Sequence, residues 1–164
     1  MTKRSCGSCS LCCKIMEVAP DIKPDNHNWC RHAVCAKTGV NALVTSKGGC
    51  GIYQHRPEVC RDYHCQWLID DRHPDYWFPA RSKIIINATI NSEGKKYVSF
   101  IVDPAYPNRW REEPYFKDIK EIAQAGHDGR LGEKWSTLVV IKDERIPIVG
   151  TERLIRGTPS PPCR

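Results

Sequence analysis

The sequence has no long hydrophobic run. No apolar stretch among its 164 residues approaches the roughly 20 residues that a membrane-spanning helix needs. The N-terminal stretch MTKRSCGSCSLCC also lacks the apolar segment of a secretory signal, and Cys6 leaves little room for one. We therefore expect a cytoplasmic protein without a membrane partner.

Several functional motifs are missing as well. The sequence contains no internal repeat, no Gly-rich phosphate loop and no serine-hydrolase elbow, and no pattern identifies a general acid or base. Lys and Arg exceed Asp and Glu only by 25 to 19, and no dense basic block is present. This modest excess is explained by solubility as well as by nucleic acid, so we expect no nucleic-acid partner. The sequence identifies no protein partner and leaves enzymatic activity open.

Cysteine, in contrast, is abundant. The chain has ten, nine of them at or before Cys65, and the stretch CGSCSLCC places four within eight residues. Such thiols could be disulfide partners, redox catalysts or metal ligands. Disulfides need an oxidising compartment, whereas clustered cysteines in a reducing one are more often metal ligands or catalytic thiols. We therefore favour metal ligation.

The first cysteine group contains an adjacent pair. Cys6, Cys9 and Cys12 have the three-residue spacing of bacterial ferredoxin-type ligands, while zinc sites commonly combine one CxxC with a distant pair. Cys13 follows Cys12 directly, and adjacent side chains diverge by about 180° in a strand or 100° in a helix. Two separate metal sites, or one polynuclear cluster, would use both thiols, whereas a single zinc would leave one idle.

The second group lies around a predicted helix. Pro57 suits the first turn of a helix that runs to about Ile69, within which Cys60 and Cys65 would be about 140° apart. Cys65 should therefore approach the site from a helix end or after local unwinding. The stretch WCRHAVC adds Cys30 and Cys35.

Together these stretches give nine candidate metal ligands: Cys6, Cys9, Cys12, Cys13, Cys30, Cys35, Cys50, Cys60 and Cys65. His32 and His64 are further candidates with less support from spacing. Basic residues nearby would favour the thiolate form, namely Arg4, Lys14, Arg31, Arg56 and Arg61. Cys163, in a proline-rich tail, is expected to be a bystander.

These stretches resemble a known family. CxxCxxCC at 6–13, WCRH at 29–32, CGIYQHRPEVCRDY at 50–63 and Cys65 before Trp67-Leu68 are similar to the CxxCxxCC (YkgJ-type) family of zinc- or iron-chelating domains. The resemblance covers residues 5–70, and VDPAYPNRWREEP extends it more weakly. It implies that the cysteines bind zinc or an iron–sulfur cluster. Some members are labelled iron–sulfur oxidoreductases, and a related motif occurs in flagellin lysine methylases. The stretch before Cys50 is longer than the resemblance leads us to expect, so Cys35 either replaces a usual ligand or is spare.

The chain as a whole predicts an α+β protein. Residues 1–79 have only short apolar runs, and burying them would offset little of the conformational entropy lost on folding. We therefore expect a cysteine-rich region with short helices that is organised by metal. A structural zinc contributes about 10–16 kcal/mol in small peptides. Residues 80–157 predict a small antiparallel sheet with one helix, and residues 158–164 a flexible tail.

The elements of the second half can be predicted individually. Residues 82–90 and 96–102 flank the turn NSEG and predict a hairpin. Residues 114–125 predict a helix with Phe116, Ile119 and Ala123 on one face and Gly126 at its C-cap. Residues 136–141 and 146–149, joined through KDER, predict a second hairpin.

The sequence therefore predicts a metal-binding protein with an iron–sulfur cluster and/or zinc, acting in metal handling, electron transfer or sensing. Nine local cysteines with an adjacent pair favour a cluster or dual centre over one zinc. Two alternatives stay open: an iron–sulfur oxidoreductase with an unknown substrate, and a zinc-stapled interaction module.

Overall fold

A computed structural model describes residues 4–7, 9–18, 23, 29–34 and 49–148. The predictions for Cys35, Cys163 and the tail at 158–164 lie outside these residues. Within them, no helix combines the length and apolarity that crossing a membrane requires.

The described residues form short helices followed by a four-stranded sheet. The helices are α1 (Leu11–Ile15), α2 (Glu58–Asp62), α3 (Gln66–Ile69), α4 (Pro79–Ser82) and α5 (Tyr115–His127). The strands are β1 (Ala33–Val34), β2 (Gly49–Cys50), β3 (Ile84–Ile90), β4 (Lys96–Val102), β5 (Ser136–Ile141) and β6 (Glu144–Ile148). Single 3₁₀ turns occupy Tyr53–His55, Asp75–Trp77 and Arg109–Arg111. The predicted α+β class is confirmed.

The first predicted hairpin is confirmed. Strands β3 and β4 pair antiparallel, with Ile84 opposite Val102 and Ile90 opposite Lys96. In the turn, the Asn91 side-chain oxygen accepts hydrogen bonds from two backbone N–H groups, those of Glu93 and Lys95, at 3.0 and 2.8 Å. An asparagine in this role supplies the chain reversal between two β-rich runs.

The prediction of a purely antiparallel sheet was wrong. The strand order is β3-β4-β5-β6, and the two central strands β4 and β5 run parallel, with Tyr97 opposite Ser136. Helix α5 lies between them in the chain, and a crossover of this length brings the next strand back in the same direction. The two hairpins are therefore joined into a mixed sheet.

The second hairpin has a tighter turn than predicted. Strands β5 and β6 pair antiparallel, with Ile141 opposite Glu144. Only Lys142 and Asp143 lie between them, so β6 begins two residues before the predicted Ile146. Lys142 adopts φ +53°, a left-handed conformation that two-residue hairpin turns use.

The predicted C-cap of α5 was wrong, because Gly126 lies inside the helix. A Cβ atom at Gly126 would come within 2.8 Å of the Trp135 carbonyl oxygen. The Trp135 N–H in turn donates to the Gly126 carbonyl oxygen at 3.1 Å. Glycine at this position therefore permits the close approach of the strand that follows, and the helix ends later.

The main core lies between α5 and one face of the sheet. The helix buries Tyr115, Ile119 and Ala123, whereas the predicted Phe116 is only partly buried. Three tryptophans belong to this core: Trp67, Trp77 and Trp110. Trp29, in contrast, is half exposed beside Lys14, whose ammonium lies 5.6 Å from the ring centre.

Helix α1 covers the opposite face of the sheet. Leu11 and Ile15 contact Ile85 of β3, and Ile101 of β4 packs against the same group. Neighbouring strand residues point to opposite faces, so Ile84 and Ile85 serve different layers. The cysteine-bearing helix is thereby held against the sheet by apolar contacts. The domain boundary at residue 79 stays a prediction, although Trp67 and Trp77 join the core across it.

Candidate metal centre

All eight cysteines in the described part of the chain line one cavity of about 430 Å³. They are Cys6, Cys9, Cys12, Cys13, Cys30, Cys50, Cys60 and Cys65, and each is a free thiol. The ninth candidate, Cys35, lies outside the described residues. Four separate stretches of the chain therefore deliver their thiols to the same place.

The first stretch folds as a turn followed by α1. The Cys9 N–H donates to the Cys6 carbonyl oxygen at 2.8 Å, with Gly7 at φ +51° inside the turn. Cys12 and Cys13 lie on α1, between the buried Leu11 and Ile15. The amphipathic spacing that fixes α1 on the sheet therefore also fixes where its two thiols lie.

Arg4 anchors this stretch to the segment after Cys65. Its guanidinium donates to the backbone carbonyls of Trp67, Asp70 and His73 at 2.8, 3.0 and 2.6 Å. It also lies over the Trp67 ring, 4.7 Å from the centre. Backbone carbonyls and the Asp75 carboxylate therefore engage its donors.

Lys14 is likewise engaged away from the thiols. Its ammonium pairs with the buried Asp103 carboxylate at 2.6 Å. That carboxylate also accepts the Ala105 N–H at 3.0 Å. At the end of α1, the Lys23 ammonium donates to the carbonyls of Lys14 and Met16, which caps the helix.

A two-residue ladder brings Cys30 and Cys50 together. Strands β1 and β2 pair antiparallel with Ala33 opposite Cys50, and the Gly51 N–H donates to the His32 carbonyl oxygen at 2.8 Å. The Cys30 N–H donates to the Cys13 carbonyl oxygen at 2.9 Å. This stretch is therefore tied both to the second cysteine group and to α1.

The predicted continuous helix from Pro57 to about Ile69 was wrong, because it is divided into α2 and α3. Tyr63 (φ −74°, ψ 123°) and Cys65 (φ −68°, ψ 153°) are extended. A continuous helix would have separated Cys60 and Cys65 by about 140°. The expected local unwinding before Cys65 is confirmed, and it allows both thiols to reach the cavity.

Burial shapes the acidity of most of these thiols. It raises the pKa of Cys9 to about 11, and burial also raises the pKa values of Cys6, Cys60 and Cys65. A buried thiolate lacks the solvation that water gives it, so the protonated form is favoured. A metal that bound these thiols would therefore have to supply the free energy that removes their protons.

Cys12 differs from the other thiols. Hydrogen bonding with the Cys13 thiol lowers the pKa of Cys12 to about 7, and the same contact raises the pKa of Cys13. The positive charge of Arg56 also lowers the pKa of Cys12. Arg56 lines the cavity and stacks 3.8 Å above the Tyr53 ring. The prediction of a basic residue beside the thiols is confirmed for Arg56.

The two histidine candidates lie in different places. His32 lines the cavity. His64 is exposed, and its Nδ1 lies 2.9 Å from the Asp62 carbonyl oxygen. The structure therefore supports His32 over His64 as an additional ligand.

Tyr63 is a cavity residue that the sequence analysis did not single out. It lines the cavity, and its hydroxyl is buried without a hydrogen-bond partner among the described residues. Burial, followed by the nearby thiols, raises its pKa. Its position two residues before the candidate ligand Cys65 is a signal in the sequence that could have predicted a role at this site.

The donor set fits a thiophilic metal, but the thiols do not yet converge. Among the described residues, no three His, Cys, Asp or Glu side chains are arranged to hold one metal ion as they stand. Thiolates are nonetheless the preferred ligands of structural zinc and of iron–sulfur clusters. The orphaned Tyr63 hydroxyl would gain an acceptor when thiolates form beside it. Binding would therefore draw the sulfurs inward from the cavity wall.

Comparisons with known protein families, with curated proteins and with solved structures found no match. The chemistry of the cavity is accordingly argued from its own residues.

Proposed function

We propose that this chain is a metal-binding protein whose cysteine thiolates ligate an iron–sulfur cluster and/or zinc. The observation that carries this proposal is the lining of one cavity by eight free thiols from four separate stretches. The resemblance to the CxxCxxCC family points to the same chemistry.

The cavity offers room for a bound group at this place. Cysteine can act as a small apolar side chain, but eight of them around about 430 Å³ do not fill the space between them. A sulfur-bound metal centre would fill part of the cavity and link the stretches that surround it.

The positive charge at the cavity wall also supports the proposed metal centre. Four thiolates around a divalent ion carry a net negative charge, and a cation nearby offsets part of it. Arg56 contributes that charge at the cavity wall, and Tyr63 offers a hydroxyl donor from the buried side. Hydrogen bonds to sulfur and burial are among the means by which proteins adjust iron–sulfur centres.

The number of thiols favours an iron–sulfur or dual centre over a single zinc, with a role in metal handling, electron transfer or sensing. The oxidoreductase alternative draws on one further observation. The cavity falls in the size range of small-molecule sites, and Tyr53, Val59 and Leu68 add apolar surface to its lining. A substrate could therefore lie beside the metal centre.

Metal analysis of the full chain, purified without oxygen, tests the proposal. We expect stoichiometric iron and sulfide with a visible absorption, or stoichiometric zinc in a colourless protein. The matched control is Cys163→Ser, which should retain the same content. A folded, metal-free chain with its thiols oxidised to disulfides would refute metal binding.

A further inference from the structure

Three of the eight cysteines lie on the sheet side of the cavity, and a fourth is joined to them by a backbone turn. Cys9, Cys12 and Cys65 all pack against the apolar group formed by Leu11, Ile15 and Ile85. The turn whose Cys9 N–H donates to the Cys6 carbonyl oxygen adds the fourth thiol. We name this group the first thiol set (Cys6, Cys9, Cys12 and Cys65).

The other four are associated with the short ladder of β1 and β2. The Cys30 N–H donates to the Cys13 carbonyl oxygen, and the β1–β2 pairing brings Cys50 to the same side. Cys60 reaches the cavity from α2. We name this group the second thiol set (Cys13, Cys30, Cys50 and Cys60).

The backbone divides the two sets at the adjacent pair. Cys12 packs against the apolar group of the first set, whereas the Cys13 carbonyl oxygen accepts the Cys30 N–H of the second set. Cys12 and Cys13 therefore lie at the boundary between the sets.

Tyr63 lies beside the first set. It packs against the same apolar group as Cys9, Cys12 and Cys65, and its hydroxyl is buried without a partner among the described residues. A hydrogen-bond donor therefore lies on the side of the first set.

We propose that the cavity holds two metal centres, one bound by each thiol set, which meet at the adjacent pair Cys12–Cys13. This inference rests on the proposed function and assigns its ligands. Neighbouring residues of a helix point about 100° apart, so each can serve a different centre. The adjacent pair is then used completely, and neither His32 nor Cys35 is required.

Each set has the composition of a complete site. Four thiolates saturate a tetrahedral zinc, and four cysteines also hold one [2Fe–2S] or [4Fe–4S] cluster. Both centres would therefore be closed, without an open coordination position on the metal. Their expected roles are structural or electron-transferring, and a substrate would bind beside them.

Single substitutions in each set test the assignment. Cys9→Ser and Cys50→Ser each remove one ligand from one set, and the double variant removes one from both. For chains purified without oxygen, we expect each single variant to keep about half of the wild-type metal and the double variant almost none. Loss of all metal from either single variant, or retention of all metal by either, overturns the division into two centres.

Cobalt titration of the wild-type chain gives a test that needs no variant. We expect the reduced, metal-free chain to bind two cobalt(II) ions, each adding thiolate-to-metal absorption. Saturation at one ion overturns the two-centre inference but leaves metal binding intact. A chain that binds no cobalt, and carries no metal when purified, overturns the proposed function and this inference together.

Discussion

Tyr63 carries a buried hydroxyl that has no partner within the described ranges, and it lies among the thiols of the first set. Such a group costs free energy in the metal-free chain, because it has given up water without gaining another acceptor. A thiolate formed on metal binding would accept its hydrogen bond. The hydroxyl therefore favours the metal-bound state over the metal-free one.

Tyr63→Phe should separate these two states. Without metal, the variant should unfold at the same free energy as the wild type or a higher one. With metal bound, it should lose about 1.5–3 kcal/mol, the range for hydrogen bonds to charged groups. Thermal unfolding with and without a chelator measures both values. Tyr106→Phe, half exposed and outside the cavity lining, is the control. An equal loss in both states would contradict the role of the hydroxyl.

For single residues, the sequence predicted which side chains are candidate ligands but not what surrounds them. The abundance and spacing of Cys6 to Cys13 were sufficient to predict ligand candidates. The binding of Arg4 to distant carbonyls was not predictable, because it depends on where the segment after Cys65 lies. Side-chain partners far apart in the chain require the fold.

Helix α1 is the element that joins the cysteines to the sheet. Five residues form no stable helix alone, so its position depends on tertiary contacts. Leu11 and Ile15 supply the apolar contact, and the Lys14–Asp103 ion pair supplies a polar one. The Asp103 carboxylate is buried, so it needs its cation.

Lys14→Met should therefore destabilise the protein by about 3 kcal/mol, since removing one partner leaves a buried charge uncompensated. Chemical denaturation, followed by tryptophan fluorescence, measures the change. Lys117→Met removes an exposed pair with Glu121 on α5 and should cost less than about 0.5 kcal/mol. Equal effects of the two substitutions would show that the buried pair does not hold α1.

Gly126→Ala tests the packing of helix α5 against the following strand. Alanine is the better helix former by about 1 kcal/mol, so an unconstrained site would be stabilised. Because its Cβ would lie 2.8 Å from the Trp135 carbonyl oxygen, we expect a loss of about 1–3 kcal/mol instead. Ala125→Gly is the control for propensity alone. A stabilised Gly126→Ala protein would contradict the close approach.

The elements differed in how far the sequence could predict them. Alternation and turn residues were enough for the β3–β4 hairpin, since both are local signals. The parallel pairing of β4 with β5 was not predictable from hairpins, because it depends on how α5 returns the chain. Helix propensity favoured one helix from Pro57, whereas the break before Cys65 was anticipated only from the angle of about 140° between Cys60 and Cys65.

In the whole molecule, one part of the chain is stabilised by an apolar core, and another part depends on the proposed metal. The sheet and α5 share a conventional core that includes Trp77 and Trp110. The stretch from Cys50 to Cys65 has only exposed or partly buried residues, and its one α-helix, α2, has five residues. Its order is therefore the part that a metal would govern.

Hydrogen exchange after chelation should show this division. We expect faster exchange in residues 49–65 once metal is removed, while strands β3 and β4 keep their protection. The segment containing Trp67 and Trp77 should stay protected, because it belongs to the sheet core. Exchange that increases equally in both regions would contradict a local role for the metal.

X-ray absorption at the edge of the metal bound to the anaerobically purified chain tests sulfur ligation most directly. For zinc, we predict a shell of about four sulfur neighbours near 2.3 Å. For iron, a sulfur shell accompanied by a short iron–iron distance would indicate a cluster. A first shell dominated by oxygen or nitrogen would contradict ligation by the cysteine thiolates.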